Sequence, residues 1–244
     1  MNNWKALLAE FIGTFTLVFI GSASVWFAKT SPGYAGGTLI PAFAHSLAVI
    51  FAAYSIGKIS GAHLNPAVTI AIAIAGGTDW VKAAMYIAVQ ILAALVAALA
   101  LNSILLPVAQ GSAAVAAASF FGAFSYNTGV TTSIGALFTE AILTFFLAFV
   151  VVMGAVYGKA GDFAGLAIGL TLAMAIIGGG GISEASLNPA RSIGPAIVAG
   201  ELGNIWIYII GPILGAAVAA AIARYVLNSS VPERTPPSKN TGRR

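Results

Sequence analysis

Gly61-Ala62-His63-Leu64-Asn65-Pro66-Ala67-Val68 returns 123 residues later as Glu184-Ala185-Ser186-Leu187-Asn188-Pro189-Ala190-Arg191. Each copy is centred on Asn-Pro-Ala. Asparagine is a favoured helix N-cap and proline is favoured at the first helical position, so each copy predicts a helix start. The apolar stretches that follow, residues 66–75 and 189–199, are about ten residues long. Crossing hydrocarbon takes about 20. Segments this short fit re-entrant helices, which membranes tolerate where the flanking backbone is buried in protein or lines a cavity. One Asn-Pro is an ordinary turn or cap signal. Two at matched positions predict two half-helices aimed at one place.

The rest of the chain supplies the membrane frame. Apolar residues make up 59% of it and charged residues 7%, against roughly 25% charged in a soluble domain. Long apolar runs predict six spans, over residues 7–28, 39–57, 83–106, 134–156, 163–177 and 205–227, the fifth starting somewhat earlier than its apolar core. The first lacks a small-residue cleavage site and is interrupted by Glu10, so it reads as a retained helix, not a signal peptide. Six spans put both termini on one side. With that side cytoplasmic, Lys5, Lys58, Lys82, Lys159, Arg224, Arg234, Lys239, Arg243 and Arg244 all lie inside, and Lys29 alone lies outside. Nine against one fixes the expected orientation, with both termini cytoplasmic. The net charge of +4 then reflects topology, and no nucleic-acid partner is expected. Residues 228–244, rich in Pro, Ser and basic residues, read as a disordered cytoplasmic tail. There is no cysteine, which excludes disulfide and thiol chemistry.

The halves repeat. Residues 9–19 and 139–149 share six of eleven identities, including Glu10 with Glu140 and Thr14 with Thr144. Each half, about residues 5–106 and 134–227, holds three spans with a half-helix after the second. Three is odd, so the halves enter the membrane from opposite sides. The expected fold is an all-α membrane protein in which six transmembrane helices and two re-entrant half-helices form an inverted repeat. Residues 1–227 make one channel domain, with its site at the midplane between halves. Gly57 with Gly61, and Gly165 with Gly169, have the spacing that lets membrane helices pack closely.

Converging half-helix N-termini would place partial positive charge and free N–H donors at mid-membrane. There Asn65 and Asn188 would cap the helices through their backbone and donate side-chain hydrogen bonds to a passing molecule. A water turning its oxygen to both amides breaks the file that carries protons, and the positive ends oppose cations. Asparagine exchanges no proton, which suits a neutral solute.

The two Asn-Pro-Ala motifs, Ala9–Phe15 (Ala-Glu-Phe-Ile-Gly-Thr-Phe), Ser60–Thr69 and Asn188–Ser192 together resemble the aquaporins, over residues 5 to about 227. The resemblance implies a right-handed six-helix bundle, a homotetramer with a pore in each subunit, and passive transport of water and small neutral solutes through the lipid bilayer. It implies no enzyme activity and no cofactor or metal. Spacing from the motifs places the family's four-residue filter at His45, Ile176, Ala185 and Arg191, and His63 at the cytoplasmic mouth. A membrane-depth arginine such as Arg191 is functional by default. The set His-Ile-Ala-Arg is similar to the plant tonoplast branch, where water passes and ammonia, urea or hydrogen peroxide become candidates. Glycerol is less expected, because Ser192 and Ala196 replace the Asp and the basic residue of glycerol-conducting relatives and no aromatic ring is expected at the filter. Ile209 stands where many water channels carry Trp.

Glu10 and Glu140 admit two roles. They are relays in a proton-coupled transporter, or, in the aquaporin reading, acceptors for re-entrant-loop N–H groups, with Gln90 helping. The run Gly178–Gly181 reads as extended backbone exposing carbonyls to the pore. Glu184 is either an acid at the outer mouth or a solvated loop residue. A plasma or inner membrane location is expected.

Overall fold

The computed structural model describes residues 3–30, 37–109 and 124–227; the expected tail at 228–244 lies outside them. Eight α-helices occur among the described residues: α1 (Asn3–Thr30), α2 (Leu39–Ser60), α3 (Pro66–Ile74), α4 (Trp80–Ala109), α5 (Ser133–Val150), α6 (Ala164–Ser183), α7 (Pro189–Ala199) and α8 (Ile205–Ile222). α5 runs on into a π-helical segment, Val151–Val156, and α8 into another, Ala223–Leu227. Six helical stretches are long and apolar enough to cross a bilayer, and α3 and α7 are the two short ones. The six spans and two half-helices of the inverted repeat are all present.

The fifth span is longer than its sequence suggested, running from Gly161 to Ser183. The addition at its far end contains Gly178–Gly181, which is helical and not extended. Glycine weakens helices in water because the unfolded chain gains so much freedom. Inside a membrane every N–H must be satisfied within the segment, and the helix does that.

Packing is pseudo-symmetric and crosses between halves. α1 packs on α2 and α4, as α5 packs on α6 and α8. Each half-helix lies against the last span of the other half, α3 on α8 and α7 on α4. Glycines set these distances. A β-carbon at Gly194 of α7 would sit 2.6 Å from the Ala94 carbonyl oxygen on α4, and one at Gly211 of α8 would sit 2.8 Å from the Leu137 oxygen on α5. Gly165 and Gly169 of α6 pack against Tyr54 and Ile50 of α2, as their spacing predicted. Gly57 and Gly61 do not form such a pair: nothing lies near Gly57, and Gly61 is the left-handed C-cap of α2 at φ 100°. Small residues face inward (Ala52, Ala71, Ala94, Ala148 and Ala216 are buried), while Leu47, Phe51, Leu99, Phe138 and Ile142 are exposed. That distribution suits lipid as the outer solvent, where close backbone packing replaces hydrophobic burial.

The face carrying the start of α1 and the end of α8 is called the near face below, and the opposite one the far face.

Candidate functional site: a pore between the repeats

Asn65 and Asn188 meet at the centre. Each is extended, at φ −153° and −145°, and each side-chain oxygen caps its own half-helix. Asn65 Oδ1 accepts from the Ala67 and Val68 N–H groups, and Asn188 Oδ1 from those of Ala190 and Arg191. Capping is therefore done by the side chains, not by the backbone alone as expected. The amide nitrogens are crossed. Asn65 Nδ2 donates to the Leu187 carbonyl at 2.8 Å, and Asn188 Nδ2 donates to the Leu64 carbonyl at 2.9 Å. An amide nitrogen carries two N–H donors. One locks each half to the other, and one remains for a passing molecule. Pro66, Ala67, Pro189 and Ala190 are buried in the first turns behind them.

The loops leading into these caps are strained. Ala62 (φ 49°) and Leu64 (φ 55°) have exact counterparts in Ala185 (φ 49°) and Leu187 (φ 55°). A non-glycine residue in this region costs about 1–2 kcal/mol, so the surroundings must hold it there. Two buried carboxylates do so. Glu10 accepts from the N–H groups of His63 (2.9 Å) and Leu64 (2.8 Å), and Gln90 Nε2 donates to it while also reaching Thr69. Glu140 accepts from the N–H groups of Ser186 (3.0 Å) and Leu187 (2.8 Å) and from Ser183 Oγ. A second matched pair supports the helix ends: Tyr86 donates to the Ser60 carbonyl and Tyr208 to the Ser183 carbonyl. Tyr86 and Tyr208 sit 122 residues apart in equivalent spans, a signal readable from the repeat but missed there.

Two cavities open from this centre. The nearer, about 470 Å³, is lined by Lys82, Thr78 and His63 at its mouth, by Asn65 and Asn188 in its middle, and by His45 and Arg191 at its far end. Its remaining wall is largely apolar, with Val49, Ile72 and Leu172 among the lining residues. The farther cavity, about 250 Å³, is lined by Ile176, Phe124, Thr38, Glu184 and Arg191. Arg191 is common to both, so it marks the neck between them. His63 lines the nearer cavity, its Nδ1 3.3 Å from Thr69 Oγ1.

At the neck, Arg191 Nε donates to His45 Nε2 at 2.9 Å. His45 Nδ1 lies 2.7 Å from the Pro41 carbonyl. A carbonyl only accepts and an arginine N–H only donates, so the proton is on Nδ1 and Nε2 presents its lone pair. The hydrogen bond joins the two residues directly, and both line the nearer cavity. Ile176 lines the farther cavity. Ala185, 4% exposed, packs in the apolar cluster with Leu172 and Leu187 and lies on the wall of neither cavity.

An aromatic ring does occupy the neck region, contrary to the sequence expectation. The Arg191 guanidinium lies 4.1 Å from the centroid of Phe124, which is itself 5.1 Å from the ring of Tyr208. Phe124 belongs to the segment between the halves, 67 residues before Arg191, and no periodicity or motif there announces it. Glu184 pairs with Lys29 at 2.8 Å and borders the farther cavity, so it lies on the far side of the neck.

The position of His45 depends on a glycine of α1. A β-carbon at Gly21 would fall 2.5 and 2.6 Å from Cδ2 and Cε1 of the His45 ring. Gly21→Ala therefore displaces the imidazole and breaks its bond to Arg191. The expected result is a changed urea-to-water permeability ratio with the fold retained, read in proteoliposomes. A ratio equal to the parent's would show that the ring does not need this space.

A hydrogen-bonded neck between two cavities, with two asparagine amides between the repeats, is the geometry of a membrane channel. Residues 1–223 match the major intrinsic protein family, and the chain belongs to that family. It is 40% identical to aquaporin TIP1-2 of Zea mays, with 96% of this chain and 90% of that one aligned. It is 44% identical to glycerol uptake facilitator protein-like 6 of Lactiplantibacillus plantarum (90% and 97%), and 41% identical to aquaporin NIP1-3 of Oryza sativa subsp. japonica (88% and 71%). Among solved structures, the aquaglyceroporin of Plasmodium falciparum superposes with a TM-score of 0.80 at 26% identity, covering 93% of this chain and 97% of that one. These relatives divide between branches, so the expected membership of a tonoplast-like branch narrows no further than the family.

Proposed function

We propose that this chain forms a passive facilitator of small neutral solutes that also conducts water. The crossed pair of Asn65 and Asn188 carries the reading: each offers one unspent N–H at mid-membrane, fed by two half-helix N-termini. A neutral molecule with an oxygen or nitrogen lone pair gains a hydrogen bond there, and a cation meets only positive ends. His45, Ile176 and Arg191 act as the filter in this reading, with Ala185 as backing for its loop, and Glu10, Glu140 and Gln90 hold the loops in register.

Phe124 favours solutes with a carbon backbone. Phe124 and Arg191 both line the farther cavity, so an apolar ring and guanidinium donors border the same space, the pairing that glycerol presents, and Ser192 and Ala196 count less against glycerol than they did in the sequence. The runner-up is a water-selective channel, favoured by the filter residues' likeness to tonoplast water channels. Stopped-flow measurement of water, ammonia, urea and glycerol entry into proteoliposomes separates the two. Glycerol or urea flux well above empty liposomes is expected; water flux with every solute at background would establish the selective channel instead. Flux that follows an imposed proton gradient would overturn both.

The exposed apolar faces of the helices fit a homotetramer in lipid, and the nine-to-one distribution of basic residues supports cytoplasmic termini in this reading, with a plasma or inner membrane as the proposed location. The near mouth is then the cytoplasmic one.

A further inference from the structure

The near mouth carries a charge that the filter does not account for. Lys82, in the first turn of α4, lines the nearer cavity at the end opposite Arg191. Its backbone N–H is taken by Asp79 Oδ1 at 2.8 Å, but no carboxylate lies within ion-pair distance of its Nζ among the described residues. The Nζ sits 5.1 Å from the centroid of Tyr86. The Tyr86 ring meets His63 edge-on at 4.9 Å, and its hydroxyl is fixed to the Ser60 carbonyl at 2.8 Å. The ammonium is thus held over a ring that cannot swing away.

The neck has a related construction. Arg191 stands over Phe124, Phe124 meets Tyr208 at a tilt of 35°, and the Tyr208 hydroxyl is fixed to the Ser183 carbonyl at 3.0 Å. Tyr86 and Tyr208 are equivalent in the repeat: one carries Lys82 directly, and the other backs the Phe124 ring that carries Arg191. Between the two cations the nearer cavity has no carboxylate on its wall. A cation entering from the near side therefore meets Lys82 first and finds no carboxylate on the wall between it and Arg191.

We propose that Lys82 is a second charge barrier, a specificity-determining residue that excludes cations at the near mouth independently of Arg191. The inference rests on the channel reading above. It makes exclusion two-sided: Arg191 acts at the neck and Lys82 at the opposite entrance. A half-exposed ammonium acts through partly screened solvent, so its barrier weakens as near-side salt rises, whereas that of the buried Arg191 does not.

The test uses the full chain in proteoliposomes, with Arg191→Val opening the filter. Methylammonium or potassium conductance is measured for Arg191→Val alone, with Lys82→Gln added, and with Lys82→Arg added, each normalised to that variant's own water permeability. Conductance in the Arg191→Val, Lys82→Gln protein should exceed Arg191→Val alone by about fivefold at low salt, as the loss of one unit charge near the entrance predicts. The difference should shrink at high near-side salt, and Lys82→Arg should restore the barrier. Equal conductance with and without Lys82→Gln, in proteins that conduct water, overturns the role of Lys82 while leaving the channel reading intact. Water permeability at the empty-liposome level in the parent chain would overturn both.

Discussion

Glu140→Ala should reduce water permeability to near that of empty liposomes. Three donors converge on this carboxylate: Ser183 Oγ at 2.7 Å, Ser186 N at 3.0 Å and Leu187 N at 2.8 Å. Removing it leaves two backbone N–H groups buried without an acceptor, at about 1–3 kcal/mol each. The same bonds hold Leu187 at φ 55°, and the Leu187 carbonyl is the acceptor for Asn65 Nδ2. Loss of the carboxylate thus releases the strained loop and unlocks the central asparagine of the other half. The effect should appear as lost permeability and as a lowered midpoint of thermal unfolding in detergent. Glu140→Gln keeps one acceptor oxygen but introduces a surplus donor, so an intermediate loss is expected. A proton relay would give another pattern: Glu140→Gln would keep the unfolding midpoint and abolish only gradient-driven flux. The same argument applies to Glu10, where Gln90 Nε2 supplies the third donor that Ser183 Oγ supplies to Glu140.

Glu10 and Glu140 were legible because they fall in the stretch where the halves are most alike. The same is true of the half-helices, where a capping asparagine and a proline act within one turn and need no tertiary context. His45 and Arg191 were placed by register from those motifs, and the structure brings them together. What escaped detection depended on contacts between distant segments. Phe124 has no local pattern, and its place against Arg191 is a tertiary contact between residues 67 apart in sequence. Gly21 looked like any small residue of a membrane helix; its meaning lies in the ring of His45 against its face. The glycine run was misread because propensities learned in water understate how strongly hydrocarbon enforces helix. The left-handed pairs Ala62–Leu64 and Ala185–Leu187 were hidden because neither alanine nor leucine signals that conformation.

His45→Ala should raise urea permeability relative to water by about an order of magnitude, because pore width and the donors lining it decide which neutral solutes pass. Two consequences of the substitution act in the same direction. It removes an imidazole, roughly the volume of two waters, from the wall at the neck between the cavities. It also takes away the acceptor that holds Arg191 Nε at 2.9 Å, so that N–H becomes available to a solute carbonyl. Water already passes a narrow neck in single file and gains little from width, whereas a larger solute gains both room and a donor. His45→Gln separates the two contributions. Its side-chain oxygen can accept from Arg191 while the planar ring is gone, so a ratio close to the parent's would assign the effect to the hydrogen bond, and one close to that of His45→Ala would assign it to volume. Cation exclusion should survive in both variants, since Arg191 and the half-helix N-termini keep their charge. An unchanged urea-to-water ratio in His45→Ala would remove His45 from the filter and leave the choice of solute to Arg191, Ile176 and Phe124.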